Sequence, residues 1–258
     1  MNMQHDTSED KNFDDLAHHF KNKVYQGLKG QIRLAVLERD LRPHLNDIKT
    51  IIDAGGGQGQ FALPLAKEGH HVSLCDISQE MLKLAQNTAY EQGIKNINFL
   101  HCSLQQLDKY LKEPVDILLC HAVLEWMAKP AEAVAYLNKN LKPGGILSLA
   151  FFNINSIVYK NLLRGNFRKV ESGNFIGHSG SLTPINPLHI DDVLVWCKNN
   201  ELDIISQSGI RVFHDYIANP RMREHAPEAL LEMELKFSQQ DPFRSLGRYI
   251  HLVARKRK

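Results

Sequence analysis

The sequence predicts an α/β fold in which helices cover both sides of a doubly wound, seven-stranded, mostly parallel sheet. Between residues 48 and 153, short apolar runs alternate with segments of helical period, which is the pattern of consecutive right-handed βαβ units. The apolar runs are nearly continuous, as is typical of strands that are buried on both faces of a parallel sheet. Two further strand patterns near the C-terminus complete the sheet as an antiparallel pair.

The composition indicates a globular protein of one large domain. The chain has 258 residues, a formal net charge of +2, 43% hydrophobic and 23% charged residues, which excludes a largely disordered protein. It has no run of the roughly 20 apolar residues that span a bilayer, and no apolar signal-peptide core. Its 4 cysteines and 13 histidines show no metal-binding spacing. We expect a cytoplasmic protein with buried thiols and without a membrane or metal partner, and the oligomeric state stays open.

A glycine-rich loop follows the first predicted strand and precedes a helix. It reads DAGGGQG from residue 53, so that the motif is G-x-G-x-G starting at Gly55, with Gln60 where a dinucleotide motif has its third glycine. Glycines at such a turn allow positive φ and a close approach of backbone N–H groups to a ligand. Asp76 ends the second strand, where a carboxylate suits the two hydroxyls of a ribose. Both NAD and S-adenosylmethionine carry that ribose, so Asp76 alone leaves both open.

Four segments together resemble the successive signature segments of class I S-adenosylmethionine-dependent methyltransferases. In chain order they are DAGGGQG from residue 53, LCDIS from 74, VDILLCHAVLEWM from 115 and LKPGGILSLAFFN from 141. The resemblance implies a Rossmann-like fold and S-adenosyl-L-methionine as the cofactor. The missing third glycine also disfavours an NAD enzyme.

Beyond these segments, nearly the whole chain resembles the tRNA 5-carboxymethoxyuridine methyltransferase family. The likeness is carried by NFDDLAHHF from residue 12, GLKGQIRLAVL from 27, HAVLEW from 121, GIRVFHDY from 209 and LGRYIH from 246. That family methylates the carboxylate of 5-carboxymethoxyuridine at the tRNA wobble position, which gives the methyl ester. The resemblance therefore implies a tRNA carboxyl-O-methyltransferase whose partner is tRNA carrying this nucleoside.

The family resemblance implies seven cofactor contacts on the second N-terminal helix and in the loops after the first four strands. They are Gly55 and Gly56 at the methionine part, Asp76 at the ribose hydroxyls, Leu104 and Gln105 at the adenine, His121 at the methionine end and Arg33 at the carboxylate. A guanidinium can pair with a carboxylate through two parallel hydrogen bonds. Without the resemblance, Arg33 would be read as a surface residue of a helix, and His121 equally as a core histidine or a ligand.

The proposed reaction needs no catalytic base, because a carboxylate with a pKa near 4 is already a nucleophile at neutral pH. Alignment of the two reactants then dominates, and we assign no certain catalytic residue. Arg211 and Arg248 are our candidates for holding the substrate carboxylate, helped by His214, Tyr216 and Tyr249. We predict a strand over 202–216, and the alternative is that both arginines are ordinary charges on edge strands.

Basic residues next to an aromatic side chain predict the contact with tRNA. Phosphate contacts by lysine and arginine dominate nucleic-acid affinity, and an aromatic ring suits an unstacked base. The predicted surface consists of Lys160, Arg164, Phe167, Arg168 and Lys169, with further contributions from Lys23, Lys29 and the C-terminal RKRK.

These patterns divide the chain into a disordered tail at 1–12 and a single methyltransferase domain at 13–258. The domain has N-terminal helices at 13–45, a cofactor-binding half at 48–153, an insertion with a probable substrate contact at 154–187, and the C-terminal half of the sheet at 188–258. Two other functions stay open: a methyltransferase for a small carboxylic acid or other small molecule, and a non-catalytic regulator that binds the cofactor or RNA.

Overall fold

The computed structural model describes residue 10, residues 27–175 and residues 184–258. The predicted first helix, the predicted tail apart from Asp10, and part of the predicted insertion lie outside the described residues. Lys23, a predicted tRNA contact, lies outside them as well.

Seven strands form one sheet in the order β3-β2-β1-β4-β5-β7-β6. They are β1 (Thr50–Ala54), β2 (His71–Asp76), β3 (Ile97–His101), β4 (Val115–His121), β5 (Leu141–Phe152), β6 (Leu202–Ile210) and β7 (Tyr249–Lys256). Strands β1 to β5 pair in parallel, whereas β7 lies antiparallel between β5 and β6. The predicted fold class, a doubly wound and mostly parallel sheet completed by an antiparallel pair, is confirmed.

Helices flank both faces of this sheet. In the described residues they are α1 (Leu28–Leu41), α2 (Ala62–Lys67), α3 (Gln79–Glu91), α4 (Pro130–Lys139), α5 (Ile154–Leu163), α6 (Phe167–Ser172), α7 (Ile190–Asn199), α8 (Pro220–Glu224) and α9 (Pro227–Phe237). None of them is both long enough and apolar enough to cross a membrane. Of the predicted N-terminal helices, the second corresponds to α1.

Two hydrophobic clusters fix the helices to the sheet. On one face, α4 and α7 pack against inward side chains such as Ile52 and Leu118. On the other face, α1, α2 and α3 pack against Ile51 and Ile117. Neighbouring residues of one strand thus enter opposite clusters, as the period of two residues in a strand requires. All four cysteines are buried and free, which agrees with the prediction of buried thiols.

Asn153 joins the end of β5 to the turn before β7. Its Nδ2 donates hydrogen bonds to the carbonyl oxygens of Ser245 (2.8 Å) and Gly247 (2.9 Å). Its backbone N–H donates to the carbonyl oxygen of Arg248 (3.1 Å), and its Oδ1 accepts from the backbone of Asn155 (3.1 Å) and caps α5. This buried amide thus holds α5 and the start of β7 together above the sheet.

The predicted strand over 202–216 is wrong in its last six residues. β6 ends at Ile210, and Arg211 adopts a φ of 61°. The next three backbone N–H groups donate to the carboxylate of Glu234 in α9, at 2.6 to 2.9 Å. Because a buried carboxylate takes these donors, the ladder of the sheet cannot continue, and Arg211 and Phe213 do not share a strand face.

Asn153→Asp is expected to lower the free energy of unfolding by about 3 kcal/mol, because a buried carboxylate would replace an amide that donates to two carbonyl oxygens. Urea denaturation measures the change. Asn46→Asp is the matched control: its amide is exposed and makes one long hydrogen bond of 3.3 Å, so we expect a change below about 0.5 kcal/mol. Equal effects of the two substitutions would contradict this role of Asn153.

Candidate functional site

A cavity opens at the carboxyl ends of β1 to β4. Its position matches the point where the strand order of a doubly wound sheet reverses, which is where such sheets bind their ligands. All seven residues predicted as cofactor contacts line it: Arg33, Gly55, Gly56, Asp76, Leu104, Gln105 and His121. The structure therefore brings together residues from α1 and from four separate loops.

The glycine loop is held against the end of β2. The backbone N–H groups of Gly55 and Gly56 donate to the carbonyl oxygen of Cys75, at 2.8 and 3.2 Å. Gly55 has a φ of +71°, and a Cβ there would overlap the side chain of Val123. The loop thus needs glycine at this position both for its backbone conformation and for its packing.

Asp76 is held by the loop that it faces. Its Oδ2 accepts a hydrogen bond from the backbone of Gly57 (2.9 Å), and its Oδ1 accepts from the backbone of Ser78 (2.8 Å). The carboxylate is therefore held in a fixed orientation at the cavity wall.

Gln105 carries a buried acceptor at the cavity. Its Nε2 donates to Oδ2 of Asp10 (3.0 Å), whose Oδ1 accepts from the backbone of Ala128 (3.0 Å). Its Oε1 is buried and has no hydrogen-bond partner in the described part of the chain. An unsatisfied buried acceptor costs free energy, which a ligand N–H at this position would recover.

Two buried acids lie near Arg33, and the sequence reasoning gave neither of them a role. Burial raises the pKa of Asp53 to about 7; the charge of Asp76 adds to this and Arg33 opposes it. Burial also raises the pKa of Glu125 to about 7, and the charge of Arg33 again opposes this increase. Asp53 could have been noticed because it is a charged residue in a buried strand, two residues before the first glycine of the loop. Glu125 stands inside an apolar segment without any local signal.

A second cluster of charges surrounds Asp215, which the sequence analysis had also missed. Nη2 of Arg211 and Nε of Arg248 lie 3.5 and 3.6 Å from its Oδ2, and Nδ1 of His214 lies 3.0 Å from its Oδ1. Burial would raise the pKa of Asp215, but Arg211, His214, Arg248 and Lys160 hold it well below its usual range. Three of the residues predicted to hold the substrate thus lie around one carboxylate, that of Asp215.

This cluster has more cations than anions. Lys160 reaches it from α5; burial lowers the pKa of its amine to about 8, while Asp215 acts in the opposite direction. Arg211, Arg248 and Lys160 therefore share a single carboxylate. Tyr216, a predicted helper, instead donates its hydroxyl to the carbonyl oxygen of Leu246 and is not free to bind a substrate.

Tyr249 connects the charge cluster to the cavity. The guanidinium of Arg33 lies 4.6 Å from the centre of its ring, and that of Arg211 lies 5.6 Å from it. Both distances are within the range of cation–π contacts. Arg248 lies 4.4 Å from the ring centre of Phe152, which in turn contacts Tyr249 edge to face at 5.3 Å. A cation that lines the cavity and a cation of the cluster thus share one aromatic ring.

An exposed face of α5 and α6 lies next to the charge cluster. Phe167 is 65% exposed and Leu163 is 58% exposed, beside the basic residues Arg164 and Arg168. An apolar side chain left open to this extent within a basic surface suits contact with a partner. Lys29, another predicted tRNA contact, is exposed on α1.

The basic C-terminus lies far from the cavity. β7 starts at Tyr249 beside the cavity and ends at Lys256, next to the start of β6. The eight residues of this strand place Lys256 roughly 23 Å from Tyr249. Lys256 donates to two backbone carbonyl oxygens at 2.7 and 2.9 Å, and Arg257 pairs with Asp203. The structure does not bring this tail together with the other predicted tRNA contacts.

Comparisons with known proteins agree with this architecture. The model of the methyltransferase domain family matches residues 52–149. The tRNA 5-carboxymethoxyuridine methyltransferases of Escherichia coli K12 and O157:H7 are each 40% identical to this chain over 253 residues, which cover 96% of this chain and 97% of theirs. The resemblance deduced from the sequence segments is thus confirmed.

A solved structure shows the same fold. Magnesium protoporphyrin IX methyltransferase from Synechocystis PCC 6803, with bound S-adenosylhomocysteine, superposes with a TM-score of 0.62. The match covers 95% of this chain and 96% of that chain, at 16% identity. At this identity the likeness concerns the fold alone.

Glu125→Gln is expected to stabilise the protein relative to wild type, increasingly so as the pH rises. The pKa of Glu125 is about 7 in the folded protein, whereas that of an unfolded chain is about 4.3. Between these two pH values the folded state keeps a proton that the unfolded state has released, so the free energy of unfolding of the wild type falls by up to about 4 kcal/mol. Glutamine does not titrate and escapes this loss.

Urea denaturation at a series of pH values measures this difference. Glu132→Gln, at an exposed position of α4, serves as the control and should show no such trend. A constant difference between Glu125→Gln and wild type from about pH 5 to about pH 7 would contradict the raised pKa.

Proposed function

This chain belongs to the tRNA 5-carboxymethoxyuridine methyltransferase family, and from that premise we propose that it methylates the carboxylate of 5-carboxymethoxyuridine at the tRNA wobble position. The methyl donor is S-adenosyl-L-methionine and the product is the methyl ester. The observation that carries the substrate side of the proposal is the cationic cluster of Arg211, Arg248 and Lys160, one aromatic ring away from the cavity.

The residues that line the cavity fit the cofactor. Asp76 would accept from the ribose hydroxyls, since two backbone N–H groups hold its carboxylate at the cavity wall. The unsatisfied Oε1 of Gln105 would accept from the adenine amino group. Arg33 would pair with the cofactor's carboxylate. When bound, S-adenosylmethionine supplies a methyl group on a positively charged sulfur. The acids Asp53 and Glu125 interact with the charge of Arg33 and lower the net positive charge around this guanidinium.

The protein's contribution to the chemistry is alignment. A substrate carboxylate is ionised at neutral pH and needs no base. Holding it in line with the methyl group converts a bimolecular reaction into an intramolecular one, which is worth several kcal/mol. The residues that hold the carboxylate therefore set the rate.

We infer that Arg211 and Arg248 hold this carboxylate. Their contacts with Asp215, at 3.5 and 3.6 Å, are ion pairs longer than a direct hydrogen bond, so donors stay available. Nε of Arg211 is buried without a hydrogen-bond partner in the described residues. Asp215 keeps both guanidinium groups in place and offsets part of their charge, which leaves the substrate oxygen nucleophilic. His214 orients Asp215 through its hydrogen bond of 3.0 Å.

We infer that the anticodon loop binds on the face of α5 and α6. Lys160, Arg164, Arg168 and Lys169 would contact phosphates, and the open ring of Phe167 would stack on a base. Such binding weakens as the salt concentration rises. A tRNA substrate implies that the protein works in the cytoplasm.

The test uses purified protein, S-adenosylmethionine and tRNA from cells that lack this protein, with nucleoside mass spectrometry as the readout. The proposal expects one added methyl group on 5-carboxymethoxyuridine, removed again by mild alkali because it is an ester. Cofactor binding without any gain of mass on tRNA would contradict the proposal and favour a small acid as substrate or a regulatory role.

Arg211→Ala and Arg248→Ala are each expected to lower kcat/KM for tRNA by about 100-fold, because each removes a charge-assisted hydrogen bond to the substrate. The dissociation constant of S-adenosylmethionine should change much less. Arg257→Ala is the matched control, since this arginine pairs with Asp203 at the far end of the sheet. Wild-type rates in both variants would remove the arginines from the mechanism.

A further inference from the structure

A chain of hydrogen bonds runs from the cavity through the sheet to α1. Nε2 of His121 lies 2.8 Å from Oγ of Ser148, and the same Oγ lies 2.8 Å from Nε2 of His251. Nδ1 of His251 lies 2.9 Å from Oδ2 of Asp40. We call these four residues the histidine relay. His121 lines the cavity, whereas the other three are buried.

The register of the sheet brings the relay together. His121 of β4 and His251 of β7 both lie opposite Ala150 of β5. Their rings stand edge to face, 5.8 Å apart, and the small Ala150 between them leaves room for both. Ser148 precedes Ala150 by two residues and therefore points to the same face of the sheet. Its hydroxyl is thereby within reach of both imidazoles.

Asp40 is a fixed acceptor at the far end of the relay. Its Oδ1 accepts from Nε (2.8 Å) and Nη2 (2.6 Å) of Arg39 and from Gln239 (3.2 Å), which leaves Oδ2 for His251. Burial would raise the pKa of Asp40, but the hydrogen bond from His251 and the charges around it hold the pKa below its usual value. A carboxylate only accepts hydrogen bonds, so His251 must carry its proton on Nδ1.

Asp40 already pairs with the guanidinium of Arg39, and with a neutral His251 beside it this end condition orders every proton in the relay. With its proton on Nδ1, a neutral His251 accepts at Nε2, so the hydroxyl of Ser148 donates to it. The oxygen of Ser148 then accepts from Nε2–H of His121. Burial holds the pKa of His121 well below its usual value, with the charge of Arg33 acting in the same direction, so its ring is neutral. Nδ1 of His121 is left with a lone pair, and it makes no hydrogen bond to any described residue.

We propose that Asp40, Ser148 and His251 are positioning residues that keep His121 in the tautomer with its proton on Nε2, so that Nδ1 accepts a hydrogen bond from the α-ammonium group of the methyl donor. The identity of that donor rests on the proposed function. The contacts of the relay follow from the hydrogen-bond distances, and the order of its protons follows from a neutral His251.

One helix then serves both charged groups of the amino-acid part of the cofactor. Arg33 and Asp40 stand seven residues apart on α1, which is two helical turns, so they lie on the same face. Arg33 offers donors to the carboxylate directly. Asp40 acts on the ammonium group through the relay and His121. Docking of α1 against β7 would therefore complete the site for the methionine end.

Nitrogen NMR of histidine side chains in the ligand-free protein tests the relay, since it distinguishes the two tautomers of a neutral imidazole. Wild type should show His121 protonated on Nε2. Asp40→Asn should reverse the relay: the amide keeps its oxygen on Arg39 and donates to Nδ1 of His251, so His121 becomes protonated on Nδ1. The same reversal should weaken S-adenosylmethionine binding by about 10- to 100-fold, because a donor would face the ammonium group.

Ser148→Ala provides the second variant. It cuts the relay between the two histidines, so adding Asp40→Asn to it should no longer change the tautomer of His121. Asp203→Asn, an exposed carboxylate paired with Arg257, is the control and should change neither the tautomer nor the affinity.

A wild-type His121 protonated on Nδ1, or a tautomer that does not respond to Asp40→Asn, would overturn the relay. If the tautomers behave as expected but wild type does not bind S-adenosylmethionine, the ammonium contact is overturned together with the cofactor of the proposed function. The two failures are thus distinguishable.

Discussion

The antiparallel position of β7 between β5 and β6 is the constraint on which the rest of the site depends. Because β7 runs against the parallel strands, it begins at the carboxyl end of the sheet, beside the cavity. The start of β7 and the residue before it therefore bring Tyr249, His251 and Arg248 to this end of the sheet, where Tyr249 contacts Arg33 and His251 contacts His121. A parallel β7 would carry these side chains to the opposite end of the sheet.

The two halves of the site have opposite electrostatic character. Two carboxylates, Asp10 and Asp76, line the cavity, and negative charge there suits a donor with a positively charged sulfur. The neighbouring cluster has an excess of cations over Asp215 and suits an anionic acceptor. Fixed charges of this kind need no rearrangement when the methyl group moves, which is how preorganised sites lower a barrier. Tyr249 separates the halves and contacts a guanidinium from each.

Local patterns were enough to predict the sheet and the glycine loop, because βαβ units and loop motifs are contiguous in sequence. The seven predicted cofactor contacts, all of which line the cavity, were implied by the family resemblance. The strand through Arg211 was predicted too long, since the carboxylate that ends it comes from Glu234, far along the chain. Asp215 and the histidine relay were not predicted for the same reason. Their partners meet only through strand register and helix docking, which single residues do not signal.

The central claim is that cations beside the cavity recognise the charge of the wobble nucleoside. The most direct test compares the dissociation constants of two anticodon stem-loops, one with 5-carboxymethoxyuridine and one with the uncharged 5-methoxyuridine. The account predicts that the charged nucleoside binds at least about 10-fold more tightly, since a charge-assisted hydrogen bond contributes more than 1 kcal/mol, and that Arg248→Ala removes most of the difference. Equal binding of the two stem-loops to the wild-type protein would contradict it.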